Sequence, residues 1–247
     1  MPAVLLHGNP ETPAIWGPLL DELQRSDVVT PRLPGFGASA PAGWGATKEE
    51  YVDWLITELA AIGEPVDLVG HDWGGALVAR VACLRPDLIR SWVCDVAGVF
   101  HPDYVWHDFA QIWQTAGAGE QYFLDAVAAP LEVRERRFVS LGMPSNVAAD
   151  VAAASNAEMG RCVLALYRSA AQPAMVTWGN DAEAAAARRG MVIINSEDPF
   201  VGTRSMAEEM GHRMGATIDI HEGLGHFWMM QDPHRGATTL ERFWARA

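Results

Sequence analysis

Short apolar runs, each closed by glycine, proline or a polar residue, alternate along this chain with longer stretches in which apolar positions recur every three to four residues. The short runs at residues 4–6, 28–30, 66–69, 91–96, 191–195 and 217–220 predict strands. The longer stretches at about 15–23, 48–62, 75–85, 205–214 and 235–244 predict the helices that cross between them. Strand and helix in alternation is the pattern of an α/β fold with a mostly parallel, doubly wound sheet, whose ligand chemistry gathers at the carboxyl ends of its strands. From about Val99 to Gln172 the rhythm breaks into helical sequence, rich in Trp and Tyr early and in Ala later, with no strand pattern. A helical cap at 99–173 is therefore expected, inserted into a core made of 1–98 and 174–247.

Composition adds bounds. At 247 residues and 49% hydrophobic, the chain can bury one substantial core. With 18 Lys and Arg against 31 Asp and Glu, its net charge of −13 argues against nucleic acid and anionic membrane surfaces as partners. The start has no basic, long-apolar leader pattern and no apolar stretch has membrane-spanning length, so a cytoplasmic protein is expected. Cys83, Cys94 and Cys162 lack C-x-x-C spacing and read as small buried apolar residues. No metal spacing such as H-E-x-x-H and no nucleotide motif is present, so no cofactor is expected; His101, His107, His212, His221 and His234 read as surface or packing residues.

Three segments carry candidate chemistry. In the first, Val66-Asp-Leu-Val-Gly-His-Asp-Trp-Gly-Gly, an apolar strand runs through a glycine-flanked turn into a helix. This is the form of a nucleophile elbow, with Asp72 where serine is usual. A carboxylate is ionised at neutral pH, needs no base to attack, and suits an electrophilic sp³ carbon better than an acyl group. The second segment, Leu5-Leu-His-Gly-Asn-Pro, is a strand end and loop that can supply an oxyanion donor; Pro10 has no N–H, so the donors would be the backbone N–H groups of Asn9 and Trp73. His7 and His71 are expected to fix their turns. The third, Glu222-Gly-Leu-Gly-His, places His226 after the last strand as a general base for water, with Asp198 in Asn195-Ser-Glu-Asp-Pro as its orienting acid. Glu197 is adjacent, and Asp95, after the strand at 91–96, is a rival acid.

Taken together, His7-Gly-Asn-Pro, Pro34-Gly-Phe-Gly-Ala-Ser, Gly70-His-Asp-Trp-Gly-Gly and Gly225-His-Phe resemble the epoxide hydrolase and haloalkane dehalogenase branch of the α/β-hydrolases over nearly the whole chain. The resemblance implies the α/β-hydrolase fold and a two-step reaction on a small, mostly apolar substrate: Asp72 forms an alkyl-enzyme ester, and water activated by His226 hydrolyses it. Ala165-Leu-Tyr-Arg-Ser is similar to the segment that carries a ring-opening tyrosine in epoxide hydrolases, which makes Tyr167 the candidate donor to an epoxide oxygen. Where a second such tyrosine is usual, this chain has Ile112 and Trp113; Tyr104 and Tyr122 are possible substitutes. The dehalogenase alternative uses the same triad, with Asn9, Trp73 and a cap tryptophan, Trp106 or Trp113, around the halide. An alternative of another class is a binding or sensor protein that keeps the fold without turnover. The chain begins almost at the strand before His7, so the first two strands of the family are expected to be missing. That leaves a shortened sheet with an edge through which two copies could pair.

Overall fold

The computed structural model describes residues 1–245. Six strands, β1 (Ala3–Leu6), β2 (Val28–Val29), β3 (Val66–Gly70), β4 (Ile89–Cys94), β5 (Arg189–Asn195) and β6 (Thr217–His221), form one sheet in the order β2-β1-β3-β4-β5-β6, with every neighbouring pair parallel. The predicted strands are all present. The fourth starts two residues earlier than its pattern suggested and ends at Cys94, because the chain leaves the sheet at Asp95.

Side chains of one strand alternate between the two faces, and both faces are covered. Val4, Leu6, Leu68, Trp92, Val192 and Ile194 join one apolar cluster, whereas Ala3, Leu5, Val69, Val93, Met191 and Ile193 join the other. The second face packs against α1 (Gly17–Glu22) through Leu19. The first takes α2 (Lys48–Ile62) through Tyr51, Leu55 and Leu59, and α3 (Trp73–Leu84) through Leu77, Val78 and Val81. α2 begins where Thr47 and Glu50 form a reciprocal capping box and ends at Gly63, whose φ of 80° an L side chain would resist.

The segment between β4 and β5 is helical, as expected, with α4 (Asp108–Gln114), α5 (Ala118–Ala128), α6 (Leu131–Ser140), α7 (Ser145–Ala154), α8 (Ala157–Ser169) and α9 (Ala174–Trp178). Its Ala-rich α7 buries Val147, Ala148 and Val151 against Ile15 and Trp16. Residues 182–187 form a 3-10 helix. The chain closes with α10 (Arg204–Arg213), on the first face through Ala207 and Met210, and α11 (Trp228–Gln231) and α12 (Pro233–Trp244) on the second. Each fully buried Leu, Val or Phe in these layers contributes about 1.5–3 kcal/mol. Cys94 and Cys162 are buried as expected, but Cys83 is only half-buried. Among the described residues no helix is long and apolar enough to cross a membrane.

Strand register fixes where the loops meet. Leu6 pairs with Gly70 and Gly70 with Cys94, so residues 7–11, the turn at 71–73 and Asp95 emerge side by side. Asn195 pairs with His221, which sets the loop holding Asp198 beside the loop holding His226.

Candidate active site

The turn between β3 and α3 holds Asp72 at φ 50°, ψ −125°, a conformation that costs a non-glycine residue about 1–3 kcal/mol. Neighbouring groups hold it there. His71 N–H donates to Leu6 O at 3.0 Å, Asp72 N–H donates to Asp95 Oδ1 at 3.0 Å, and Asp72 O accepts from Ala76 N at 3.0 Å. The helix after Asp72 can lie this close to β1 because residue 74 is glycine: a Cβ there would stand 2.2 Å from Leu6 O. Gly8 does the same service from the other side, since its Cβ would stand 2.3 Å from Asp72 Cβ.

Both expected oxyanion donors face the candidate nucleophile. Asn9 N–H donates to Asp72 Oδ1 at 2.8 Å, and the Trp73 N–H lies near enough to the Asp72 carboxylate to favour its charged form. His226 stands opposite, with Nε2 3.8 Å from Asp72 Oδ2, and its Nδ1–H donates to Asp198 Oδ2 at 2.8 Å. Asp198 Oδ1 in turn accepts from Phe200 N–H at 2.9 Å, which fixes the carboxylate.

Asp95 serves a different imidazole. Its Oδ2 accepts from His71 Nδ1 at 2.6 Å and from Trp228 Nε1 at 2.7 Å, while Oδ1 holds the Asp72 N–H, so both oxygens are occupied away from His226. Of the two carboxylates, Asp198 is therefore the one hydrogen-bonded to His226, and Asp95 braces the elbow. His71 does more than fix a turn: its Nε2–H donates to Glu11 Oε1 at 3.2 Å, so a buried carboxylate faces each ring nitrogen. His7 is the turn-fixing residue expected, with Nδ1 donating to Gly8 O and Nε2 accepting from Leu33 N–H.

Glu11 escaped the sequence reading. It is fully buried, accepts from Gly8 N–H at 2.9 Å, and points Oε1 to within 4.0 Å of His226 Nε2. Its place directly after His7-Gly-Asn-Pro was the available signal, but a glutamate in a polar loop reads as solvated until burial is known. His107 also escaped; it lines the cavity at Asp72 and contacts Tyr167 and Phe200 edge to face.

That cavity, about 20 Å³, is lined by Asp72, Trp73, Tyr104, Trp106, His107 and Tyr167 among others. Tyr167 is buried, its ring 5.4 Å from that of Trp73. The side chains of Asn9 and Trp73 lie near its phenol, and neither amide atom of Asn9 has a hydrogen-bond partner. The other aromatic candidates are less free. Tyr104 donates its O–H to Phe200 O at 2.7 Å, and Trp106 donates Nε1–H to Ala170 O at 3.2 Å. Tyr122 and Trp113 line a separate apolar cavity of about 110 Å³, which Pro10 also lines; the Trp113 N–H is buried without a partner.

Burial sets the electrostatics. It pushes the Asp72 carboxyl up to about 6, against the attraction of His226. Burial also opposes a charged His226, but Asp198 and Asp72 outweigh it and the imidazole's pKa rises. Burial is likewise outweighed around His71, where Glu11 and Asp95 hold the ring charged, and His71 in turn holds Glu11 ionised. Desolvation lowers His107 to about 4, which leaves it neutral. Tyr167 rises well above the usual phenol value through burial and the Asp72 charge, so it keeps its proton and can donate it.

Residues 3–239 match the model of the alpha/beta hydrolase family. A haloalkane dehalogenase of Bradyrhizobium diazoefficiens is 32% identical over 131 residues, which are 52% of this chain and 41% of the relative. Epoxide hydrolase 3 of Siraitia grosvenorii is 35% identical over 140 residues, 53% of this chain and 43% of the relative. These matches thus span less than half the length of either relative. The solved structure of a haloalkane dehalogenase from Bradyrhizobium elkani superposes with a TM-score of 0.75 at 21% identity, covering 100% of this chain and 91% of that one, a likeness of fold.

Proposed function

The chain belongs to the alpha/beta hydrolase family, and we propose that within it the protein opens a small, mostly apolar epoxide to a vicinal diol through an ester on Asp72. The observation that carries this reading is the convergence on one cavity of the Asp72 carboxylate, held by the Asn9 backbone N–H, and the buried, protonated Tyr167 phenol. In this reading 99–173 is the cap that brings Tyr167 over a core of 1–98 and 174–247.

In the first step Asp72 attacks an epoxide carbon, the C–O bond breaks, and Tyr167 gives its proton to the leaving oxygen. The ester carbonyl then sits between Asn9 N–H and Trp73 N–H, positioned for the negative charge that develops when water attacks. His226 takes the proton of that water and Asp198 steadies the imidazolium. Collapse of the tetrahedral intermediate releases the diol and restores Asp72, and the proton held on His226 returns to the Tyr167 phenolate through solvent. Such a protein needs only substrate and water as partners.

A second reading, a haloalkane dehalogenase, is favoured by one observation. The buried Asn9 amide lacks a hydrogen-bond partner of its own and stands with the Trp73 indole next to Tyr167, where a departing halide would also be held. The test is the intact mass of His226→Gln after incubation with small epoxides and short bromoalkanes. A gain of a whole epoxide bears the proposal out; a gain of an alkyl group without bromine moves the assignment to dehalogenase. A folded variant with no adduct from either counts against the covalent mechanism and favours a binding protein without turnover.

A further inference from the structure

We propose that Glu11, His71 and His226 form a site for one divalent transition-metal ion, zinc by its donor set, and that the ion switches hydrolysis off. The three donor atoms are Glu11 Oε1, His71 Nε2 and His226 Nε2, all buried and all within 4.8 Å of one another. Glu11 Oε1 is 3.2 Å from His71 Nε2 and 4.0 Å from His226 Nε2. A tetrahedral ion with bonds of about 2.0–2.2 Å needs donors roughly 3.4 Å apart, so small side-chain shifts complete the set. Two imidazoles and one carboxylate suit zinc; magnesium and calcium prefer more oxygen donors in larger shells.

The surroundings match a metal site as well as the donors do. A histidine that ligates a metal usually gives its other ring N–H to a carboxylate, and here both do: His71 Nδ1 to Asp95 at 2.6 Å and His226 Nδ1 to Asp198 at 2.8 Å. Glu11 is itself fixed by Gly8 N–H. A water can take the fourth position, which leaves Asp72, 3.8 Å from His226 Nε2, free of the ion. Ligation by His71 requires that the Nε2 proton now shared with Glu11 leave to solvent, with the ion taking its place. Once His226 Nε2 is on the metal its lone pair is unavailable to water, so the second step stops while Asp72 can still be alkylated. That inhibition rests on the proposed function; the binding rests on the geometry alone.

The test is titration of the purified chain with zinc chloride against a chromophoric chelator, for wild type, Glu11→Gln, His226→Gln and, as a control on exposed histidines, His234→Ala. One ion per wild-type chain is expected, with affinity at least tenfold weaker in both site variants and unchanged in His234→Ala; losing even a group that only orients a ligand costs about 10–100-fold. Using two site variants guards against one of them misfolding. No measurable binding to wild type, or binding that either folded site variant leaves intact, overturns the site. Zinc-loaded wild type given substrate should accumulate the ester expected of His226→Gln and resume turnover when a chelator is added. If zinc binds as expected and no ester forms from any epoxide or haloalkane, the metal site stands and the proposed function falls.

Discussion

Asp72 and His226 face each other across 3.8 Å without a hydrogen bond, while the other Asp72 oxygen is held at 2.8 Å by Asn9 N–H. A nucleophile that is already ionised gains nothing from a base that would take its proton. In the proposed reaction the gap leaves His226 to a later water, and the two residues influence each other through charge.

That charge coupling gives each step its own pH dependence. Attack needs ionised Asp72, whose pKa stands at about 6, so ester formation should fall as pH drops through that value. Ester hydrolysis needs neutral His226, so its rate should also fall toward acid. Because the Asp72 charge helps to raise His226, esterification removes that contribution and moves the second limb below the pKa of His226 in the free protein. Single-turnover rates of ester formation and decay, measured from about pH 5 to 9, check both; a formation rate flat to the acid end would be incompatible with this role for Asp72.

Tyr167→Phe removes the proton donor and little else, since the ring still packs against Trp73 and Trp113. Epoxide turnover is expected to fall about 10²–10⁴-fold, with bromoalkane alkylation of Asp72 nearly unchanged. Equal losses on both substrates would mean that Tyr167 only shapes the cavity.

The two acids should separate by readout. Asp198→Asn leaves the elbow intact and should slow ester hydrolysis by up to about 10⁴-fold, as loss of the orienting acid does in related triads. Asp95→Asn breaks a buried network of His71, Trp228 and the Asp72 N–H, and should cost about 3–5 kcal/mol in denaturant unfolding. A stable Asp95→Asn protein that accumulates ester would reverse these assignments.

Gly8→Ala is a geometric test. The added methyl would press on Asp72 Cβ and carboxylate, and a shift of about 1 Å at a reacting atom can cost 10²-fold. Activity is expected to drop at least that far while the melting temperature changes modestly; wild-type turnover would show that the elbow yields more readily than its contacts suggest.

Much of this protein was legible in its sequence because the relevant signals are local. Apolar runs of strand length placed all six strands, most clearly the central ones, which are covered on both faces and therefore mostly apolar. The glycines around Asp72 announced a turn that only small residues permit, and the positions of Asn9, Trp73, Asp198 and His226 follow from lying just beyond strand ends. What the tertiary structure alone decided are partnerships between distant loops. Asp95 and Asp198 both follow strands, and only register and side-chain direction give the first to His71 and the second to His226. Glu11 lies sixty positions from the His71 it pairs with, and a glutamate becomes a site residue only when the fold removes it from water beside two imidazoles. Tyr104 and Trp106 were also candidates around the substrate; the fold bonded them to backbone carbonyls and left the Tyr167 phenol at the cavity, because hydrogen bonding of buried polar groups is settled by packing that a linear sequence does not contain.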